Sequence, residues 1–285
     1  MKCFATLLLL APLTLPAQTT NAALRAEIER KTAELTPKVV AWRRDVHQHP
    51  ELSYQETRTA ALVAQHLRTL GLEVKAGVGG NGVVGILRGG RPGPVVALRA
   101  DLDGLPVTEL VDVPFKSTVR ATYNGQDVGV MHACGHDNHV AILMGTAELL
   151  VSMKDRVPGT VKFIFQHAEE SPPTGGAGPM IEAGVLENPK VDAIFGLHVF
   201  PGLVGSVTYV SGPALASGDN YKIIVHGRQT HGALPWAGVD PIVVGSQIVL
   251  GLQTIVSRQV DLSSANAIVT VGAFNAGNRT NIIPD

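Results

Sequence analysis

Cysteine is almost absent from this chain of 285 residues: Cys3 and Cys134 are the only two. Cys3 lies in a leader-like N-terminus, so its removal leaves one thiol and excludes an intramolecular disulfide framework. Aromatic residues make up only 5% of the chain, which argues against a surface for stacking bases. Neither sign of charge dominates. A net charge of −1 gives no electrostatic case for nucleic acid or an anionic membrane as partner. Past the leader, no run reaches about 18 uninterrupted apolar residues, so no spanning helix and a soluble mature protein are expected. There are no internal repeats and no low-complexity tract.

The leader itself is well marked. Met1-Lys2 supplies a short positive start. Phe4 to Leu15 is apolar, and small residues follow at Ala17 and Ala22. This pattern predicts a signal peptide over residues 1–22 and a secreted or periplasmic protein. The remainder, in a chain that is 45% hydrophobic, is ample for a packed core of one or two domains.

The periodicity predicts an α/β fold with a mostly parallel sheet. Helical spacing runs over Leu24–Trp42, Thr57–Leu70, Asn138–Met153 and Pro179–Ala183. Apolar strand-like runs cover Val83–Leu87, Val95–Arg99, Val161–Gln166 and Ala193–Val199, with Gly89–Gly93 as a turn. In such sheets functional groups gather at the carboxyl ends of strands. Asp101, Asp103, Glu169, Glu170 and His198 all fall at or just after a predicted strand end. From Ser217 the pattern changes. A half-exposed strand over Tyr221–Val225, a helix from Asp240 to about Val260 and a strand over Ala267–Phe274 predict an inserted α+β domain. The expected organisation is therefore a catalytic, metal-binding part over residues 23–216 and a lid or dimerisation domain over residues 217–285.

The chemistry concentrates in His132-Ala-Cys-Gly-His-Asp-Asn-His139. Thiolate, imidazole and carboxylate together are the ligand set of zinc and related divalent ions. Gly135 lets the backbone turn, so that Cys134 and His136 can aim at one centre. Glu169 and Glu170 follow an apolar strand; at a turn both can reach one site. One carboxylate would bind metal while the other accepts a proton. A nucleophilic Cys134 is the alternative, and predicts activity that survives chelation but not alkylation. Gly77–Gly82 precedes a strand instead of linking strand to helix, so it reads as a turn and not as a dinucleotide site.

Taken together, these segments resemble the metal-dependent amidohydrolases that include hippurate hydrolase, bacterial N-acyl-amino-acid amidohydrolases and plant indole-acetyl-amino-acid hydrolases. The resemblance rests on His47-Gln-His-Pro-Glu-Leu-Ser53, Arg99-Ala-Asp-Leu-Asp-Gly-Leu-Pro106, His132-Ala-Cys-Gly-His-Asp137 and Gln166-His-Ala-Glu-Glu170. It continues through Gly196-Leu-His-Val199, His226-Gly-Arg-Gln-Thr-His-Gly-Ala233, Gly238-Val-Asp-Pro241 and Asn281-Ile-Ile-Pro-Asp285.

What the resemblance implies is a site for two divalent ions, zinc or manganese. Cys134, His136, Glu170 and His198 match ligands, with Cys134 bridging. Glu169 matches the general base. His231 matches a lid histidine that reaches substrate bound in the other subunit of a homodimer, and Asn281 a lid residue near the substrate. Asp101 and Asp103 fall behind the ligands. His47, His49 and Glu51 read as structural, and His132 and His139 as orienting or packing groups. His167 departs from the family, which has proline there. The family also continues beyond the point matched by Asp285 and supplies a last histidine ligand, so a C-terminally truncated member is expected. The implied reaction is hydrolysis of the amide of an N-acyl amino acid. A dipeptidase or carboxypeptidase with the same two metals, an inactive truncated member and a non-catalytic binding protein are the competing readings.

Overall fold

The structure is a computed structural model, described here for residues 22–171, 174–212, 217–263 and 266–285. The leader prediction therefore lies almost wholly outside the described residues. The described chain divides into two units, one ending at Pro201 and one covering Gly202–Asp285. The break comes before Ser217, the point at which the sequence pattern changes.

The first unit opens with helix α1 (Ala22–Gln48) and α2 (Thr57–Thr69), followed by β1 (Glu73–Val78), β2 (Gly82–Arg88) and β3 (Arg91–Asp101). A small hairpin, β4 (Arg120–Tyr123) and β5 (Gln126–Gly129), precedes helix α3 (His136–Val151). Then come β6 (Pro158–Gln166), α4 (Ala177–Glu182) and β7 (Ala193–Gly196). Five strands form one sheet in the order β1-β2-β6-β3-β7. β6, β3 and β7 are parallel, whereas β1, β2 and β6 pair antiparallel.

The expected mostly parallel sheet is thus a mixed one. The short turn after Val78 forces β2 to run back along β1, and β6 then inserts between β2 and β3. What survives of the expectation matters most for function: β3, β6 and β7 finish at the same edge.

Strand alternation decides the two faces of the sheet. Phe163 and Phe165 point with Val83, Leu87 and Ala100 into a core shared with Val63 and Leu67 of α2 and Val140 and Met144 of α3. Ile164 points the other way, with Val84, Ile86 and Ala97, against Met180 and Val185. Burying a Phe or Leu side chain contributes about 1.5–3 kcal/mol, so the larger cluster holds the unit together. Lys162 is buried on the second face. Its ammonium donates to the carbonyls of Val185 at 2.8 Å, Glu187 at 2.6 Å and Pro189 at 3.1 Å. That satisfaction makes a buried cation tolerable.

A second buried polar group ties α1 to the start of α3. His47 Nδ1 lies 2.8 Å from Asp137 Oδ2 and its Nε2 lies 3.1 Å from Glu109 Oε1. Arg43 Nε reaches the same Asp137 oxygen at 2.7 Å. The bond with Asp137 raises the His47 pKa above its ordinary 6.5; burial opposes this and Glu109 assists it. Nearby, Glu51 accepts from the amides of Arg58 and Thr59 at 2.8 Å each and so caps α2 from outside.

In the second unit, helix α5 (Pro241–Thr254) starts at Asp240, whose Oδ1 accepts from the amides of Ile242 and Val243 at 2.9 and 3.2 Å. A wider turn extends it to Gln259. The stretch Pro241–Gln259 is long and apolar enough, by length and composition alone, to cross a membrane. Ser246, Gln247, Gln253, Ser257 and Arg258 interrupt it, which is why the sequence shows no unbroken run there.

The strands β8 (Thr230–His231) and β9 (Ile282–Ile283) form a short antiparallel pair. The segments Tyr221–Val225 and Ala267–Phe274, expected as strands, carry no ladder. Most of their large apolar residues are exposed, Tyr221 by 87% and Ile268 by 88%. Alternation alone does not make a strand; an apolar face has to be covered before pairing outweighs the entropy of ordering the chain.

Two outcomes follow from these buried polar groups. Lys162→Met keeps the stem but leaves three carbonyls without their donor. At about 1–3 kcal/mol for a buried acceptor left unpaired, urea unfolding should show a loss of at least about 2 kcal/mol. For His47, a raised pKa in the fold means that the protonated ring stabilises. Its contribution is complete below about pH 6.5 and fades as pH rises through the higher folded value. The stability advantage of the native protein over His47→Gln should therefore shrink on raising the pH from about 6 to about 9; a constant difference would show the ring to be neutral in the fold.

Candidate metal centre

Three parallel strands deliver the site. Asp101 ends β3 and Asp103 lies two residues on. Glu169 and Glu170 follow β6. His198 follows β7. The Cys134 loop enters from the neighbouring α3, whose first residue is His136. Gly135 sits at φ 88°, and a Cβ there would lie 2.4 Å from Val199 Cγ2. The turn between Cys134 and His136 therefore needs glycine twice over, for its left-handed backbone and for the approach of Val199.

Five of the seven site residues expected from the sequence converge. Cys134 Sγ, His136 and His198 each offer a ligand atom within 4.8 Å of the others, and so do His136, Glu169 and Glu170. Cys134 Sγ lies 3.4 Å from His198 Nε2. His136 Nε2 is 3.9 Å from a carboxylate oxygen of each of Glu169 and Glu170. His136 is common to both groups.

His136 Nδ1 donates to the carbonyl of Asp103 at 2.8 Å, which leaves Nε2 as a lone pair. Among the described residues that buried Nε2 has no hydrogen-bond partner. His198 is arranged the same way: Nδ1 lies 2.8 Å from the Val199 carbonyl and Nε2 faces Cys134. An unpaired buried imidazole lone pair among thiol and carboxylates fits a divalent cation.

The backbone of the carboxylate pair is held by Asp103, which is fully buried. Its Oδ1 accepts from the Glu169 amide at 3.1 Å and its Oδ2 from the Glu170 amide at 2.9 Å. Ser53 Oγ donates to the same Oδ2 at 2.6 Å. Asp101 accepts from His139 Nδ1 at 2.6 Å, and His139 Nε2 accepts from the Val199 amide at 2.9 Å. With both nitrogens engaged, His139 orients the loop that carries His198. His132 is buried with both ring nitrogens unpartnered among the described residues.

The charges are crowded. Burial pushes the Cys134 thiol up to about 12, and the neighbouring Glu170, Glu169 and Asp101 add to it. Burial likewise raises Glu170, with Glu169 opposing its ionisation. Asp101 goes the other way. Burial alone would raise it, but the His139 hydrogen bond and the Arg99 charge hold it at about 2. Burial drives His132 down to about 4, so it packs as a neutral ring.

The other two expected residues, His231 and Asn281, lie in the second unit, where β8 and β9 bring them together. The Gly232 amide donates to the Asn281 carbonyl at 2.9 Å. His231 Nδ1 accepts from the Ala233 amide at 3.0 Å, so its Nε2 carries the proton. Both side chains are exposed.

Two residues escaped the sequence reading. Glu56 is wholly buried and bonds the Ala168 amide; a lone Glu between two helices has no spacing to give it away. His167 was noted only as a departure. It is wholly buried beneath Tyr54, and a Cβ on Gly80 would lie 2.6 Å from its Nε2.

Comparison with known proteins places the chain in a family. The chain is 45% identical over 261 residues to thermostable carboxypeptidase 2 of Saccharolobus solfataricus, covering 91% of this chain and 64% of that protein. It is 41% identical over 261 residues to the N-acyl-L-amino acid amidohydrolase of Geobacillus stearothermophilus, covering 91% of this chain and 67% of that one. Among solved structures it resembles the Bacillus subtilis YXEP protein, a dinuclear metal binding peptidase. That likeness has a TM-score of 0.58 at 37% identity and covers 78% of this chain and 57% of that chain. The chain thus spans about two thirds or less of the length of each of these three proteins. Residues 97–272 match the model of peptidase family M20/M25/M40, a segment that contains Asp101, Asp103, Cys134, His136, Glu169, Glu170 and His198, and the chain belongs to that family.

Proposed function

We propose that this protein hydrolyses the amide bond of N-acyl amino acids at a site for two divalent metal ions, zinc or manganese. The observation that carries the reading is the pair of imidazole lone pairs, His136 Nε2 and His198 Nε2, turned toward Cys134 and the Glu169–Glu170 carboxylates. Cys134, His136, Glu170 and His198 would hold the metal. Bound there, such ions supply Lewis acidity toward the scissile carbonyl and the attacking water. With a cation held there, the Cys134 thiol would ionise more readily and the crowding of thiol and carboxylates would be offset.

The two glutamates divide the work by exposure. The Glu170 side chain is 23% exposed and the Glu169 side chain 40%. The more buried one suits a ligand, and the more open one suits a group that meets substrate. Glu169 takes a proton from the attacking water as its oxygen bonds the carbonyl carbon. It then returns that proton to the leaving nitrogen as the C–N bond breaks, giving a carboxylic acid and a free amine. His231, with its Nε2–H, would donate to the developing oxyanion in the site of a partner subunit, and Asn281 beside it would touch substrate. This assigns residues 217–285 to a lid through which the protein forms a homodimer. The leader supports a secreted or periplasmic location.

A carboxypeptidase or dipeptidase acting through the same residues is the second reading, favoured by the relative of that name in Saccharolobus solfataricus. A metal-supplemented assay against a panel of N-acyl amino acids and dipeptides decides between them by the ratio of kcat/KM values.

Two outcomes test the assignments. Glu169→Gln should lower turnover about 10²–10⁴-fold while leaving metal content normal, whereas Cys134→Ser and Glu170→Gln should lose metal as measured by elemental analysis. If Glu169→Gln empties the site and Glu170→Gln does not, the two roles are reversed. His231→Ala should bind metal normally and lose about 10²–10³ in turnover. Mixing it with Glu169→Gln should restore activity, because one hybrid site then carries both intact residues; no recovery on mixing would place His231 in its own subunit's site.

A further inference from the structure

Glu56 is the buried carboxylate at this edge that the proposed chemistry leaves without a task. It is fully buried between α1 and α2. Its Oε1 accepts from the Ala168 amide at 2.7 Å and from the Tyr54 amide at 3.0 Å. Its Oε2 accepts from Asn81 Nδ2 at 3.0 Å, in the turn between β1 and β2. Glu56 stands at the cap position of α2, yet its side chain makes no capping bond there. Glu51 does that work instead. Burying a carboxylate is costly unless its acceptors are filled, and here they are filled from the catalytic turn and from the sheet.

The residue it grips is conformationally unusual. Ala168 has φ 49°, in the left-handed region that non-glycine residues seldom occupy. It directly precedes Glu169. The next two amides, of Glu169 and Glu170, end on Asp103. Three consecutive N–H groups are thus taken by two buried carboxylates from separate stretches of chain. Asp103 fixes the pair from the β3 side. Glu56 fixes its point of departure from β6.

We infer that Glu56 is a positioning residue for the carboxylate pair: by holding the Ala168 amide it sets the direction in which Glu169 and Glu170 leave β6, and so the placing of base and ligand. The inference rests on the reading of Glu169 and Glu170 given above. It predicts that loss of Glu56 loosens this turn specifically and weakens metal binding, without loosening the core.

Amide hydrogen exchange read by mass spectrometry, with zinc titration by calorimetry, tests this on the 285-residue protein and on Glu56→Ala and Glu56→Gln. In Glu56→Ala the amides of residues 168–170 should exchange about tenfold faster or more. Zinc affinity should fall about 10–100-fold, as for other groups that orient ligands, while the amides of α3 keep their protection. Glu56→Gln should fall between the two, since its amide oxygen still accepts from Ala168 while its NH₂ faces Asn81. Native-like exchange at residues 168–170 together with native zinc affinity in Glu56→Ala would overturn the inference. If Glu56→Ala loses protection throughout, Glu56→Gln decides: loosening confined to the turn supports positioning, and uniform loss overturns it in favour of global stability. None of these readouts needs turnover. Failure of the native protein to hydrolyse any substrate in the panel would therefore count against the functional reading and leave the result for Glu56 standing.

Discussion

The carboxylate of Asp103 gathers the edge of the sheet at which β3 and β6 end. Ser53 Oγ and the amides of Glu169 and Glu170 all donate to it. The carbonyl of the same residue accepts from His136 Nδ1. One buried residue thus fixes the tautomer of the His136 imidazole and the backbone of both glutamates. This is possible because β3 and β6 run parallel and end together, so the chain leaving β3 lies beside the chain leaving β6. A register shift between them would separate these partners at once, which makes strand pairing in the core a condition of the site's geometry.

The edge is held against its own electrostatics. Carboxyl groups of Asp101, Asp103, Glu169 and Glu170 and the thiol of Cys134 crowd one imidazole, His136. Asp101 stays ionised through His139 and Arg99. Asp103 is lowered too, against burial, by His136, Ser53 and the Glu170 amide. Cys134 shifts upward through burial and the neighbouring carboxylates, and Glu170 shifts upward because burial and the Glu169 charge outweigh the Cys134 hydrogen bond and the His136 charge. The two groups shifted against ionisation, Cys134 and Glu170, are both proposed as ligands, whereas Asp101 and Asp103, shifted toward it, lie behind them. The permanent bonds of the fold stabilise the supporting carboxylates, and cation binding is left to stabilise the others.

Much of this was legible in the sequence, for a physical reason. Short apolar runs bounded by turn residues locate buried strands, and polar residues just past them locate an edge. Glu169, Glu170 and His198 could be placed that way. Strand order could not. Nothing in Val83–Leu87 or Val95–Arg99 says that β6 lies between them, because pairing is decided by which crossover packs best on the core. β1 was missed because most of its side chains are exposed and Glu73 and Lys75 break the apolar pattern. The β4–β5 hairpin was missed although Asn124-Gly125, both at positive φ, is a strong turn signal. Tyr221–Val225 failed in the opposite sense: its alternation is real, but among the described residues no strand pairs with it. Glu56 has no periodicity at all. Its role exists only once the fold brings Ala168 and Asn81 to it.

The histidines show how far main-chain partners determine chemistry. His136 and His198 each place Nδ1 against a carbonyl, of Asp103 and of Val199. A carbonyl only accepts, so Nδ1 must carry the proton and Nε2 presents a lone pair suited to a metal. His231 places Nδ1 against the Ala233 amide, which only donates. Its proton must then sit on Nε2, leaving a donor suited to an oxyanion. Side chains of one type thus present opposite groups at Nε2 according to the backbone group each one meets, and the local turn sets that group: the left-handed Gly135 turn into α3 for His136, the exit from β7 for His198, and the short β8 loop for His231. A substitution that reversed one of these contacts would change the tautomer without touching the histidine, so the backbone of these turns determines which group each ring presents.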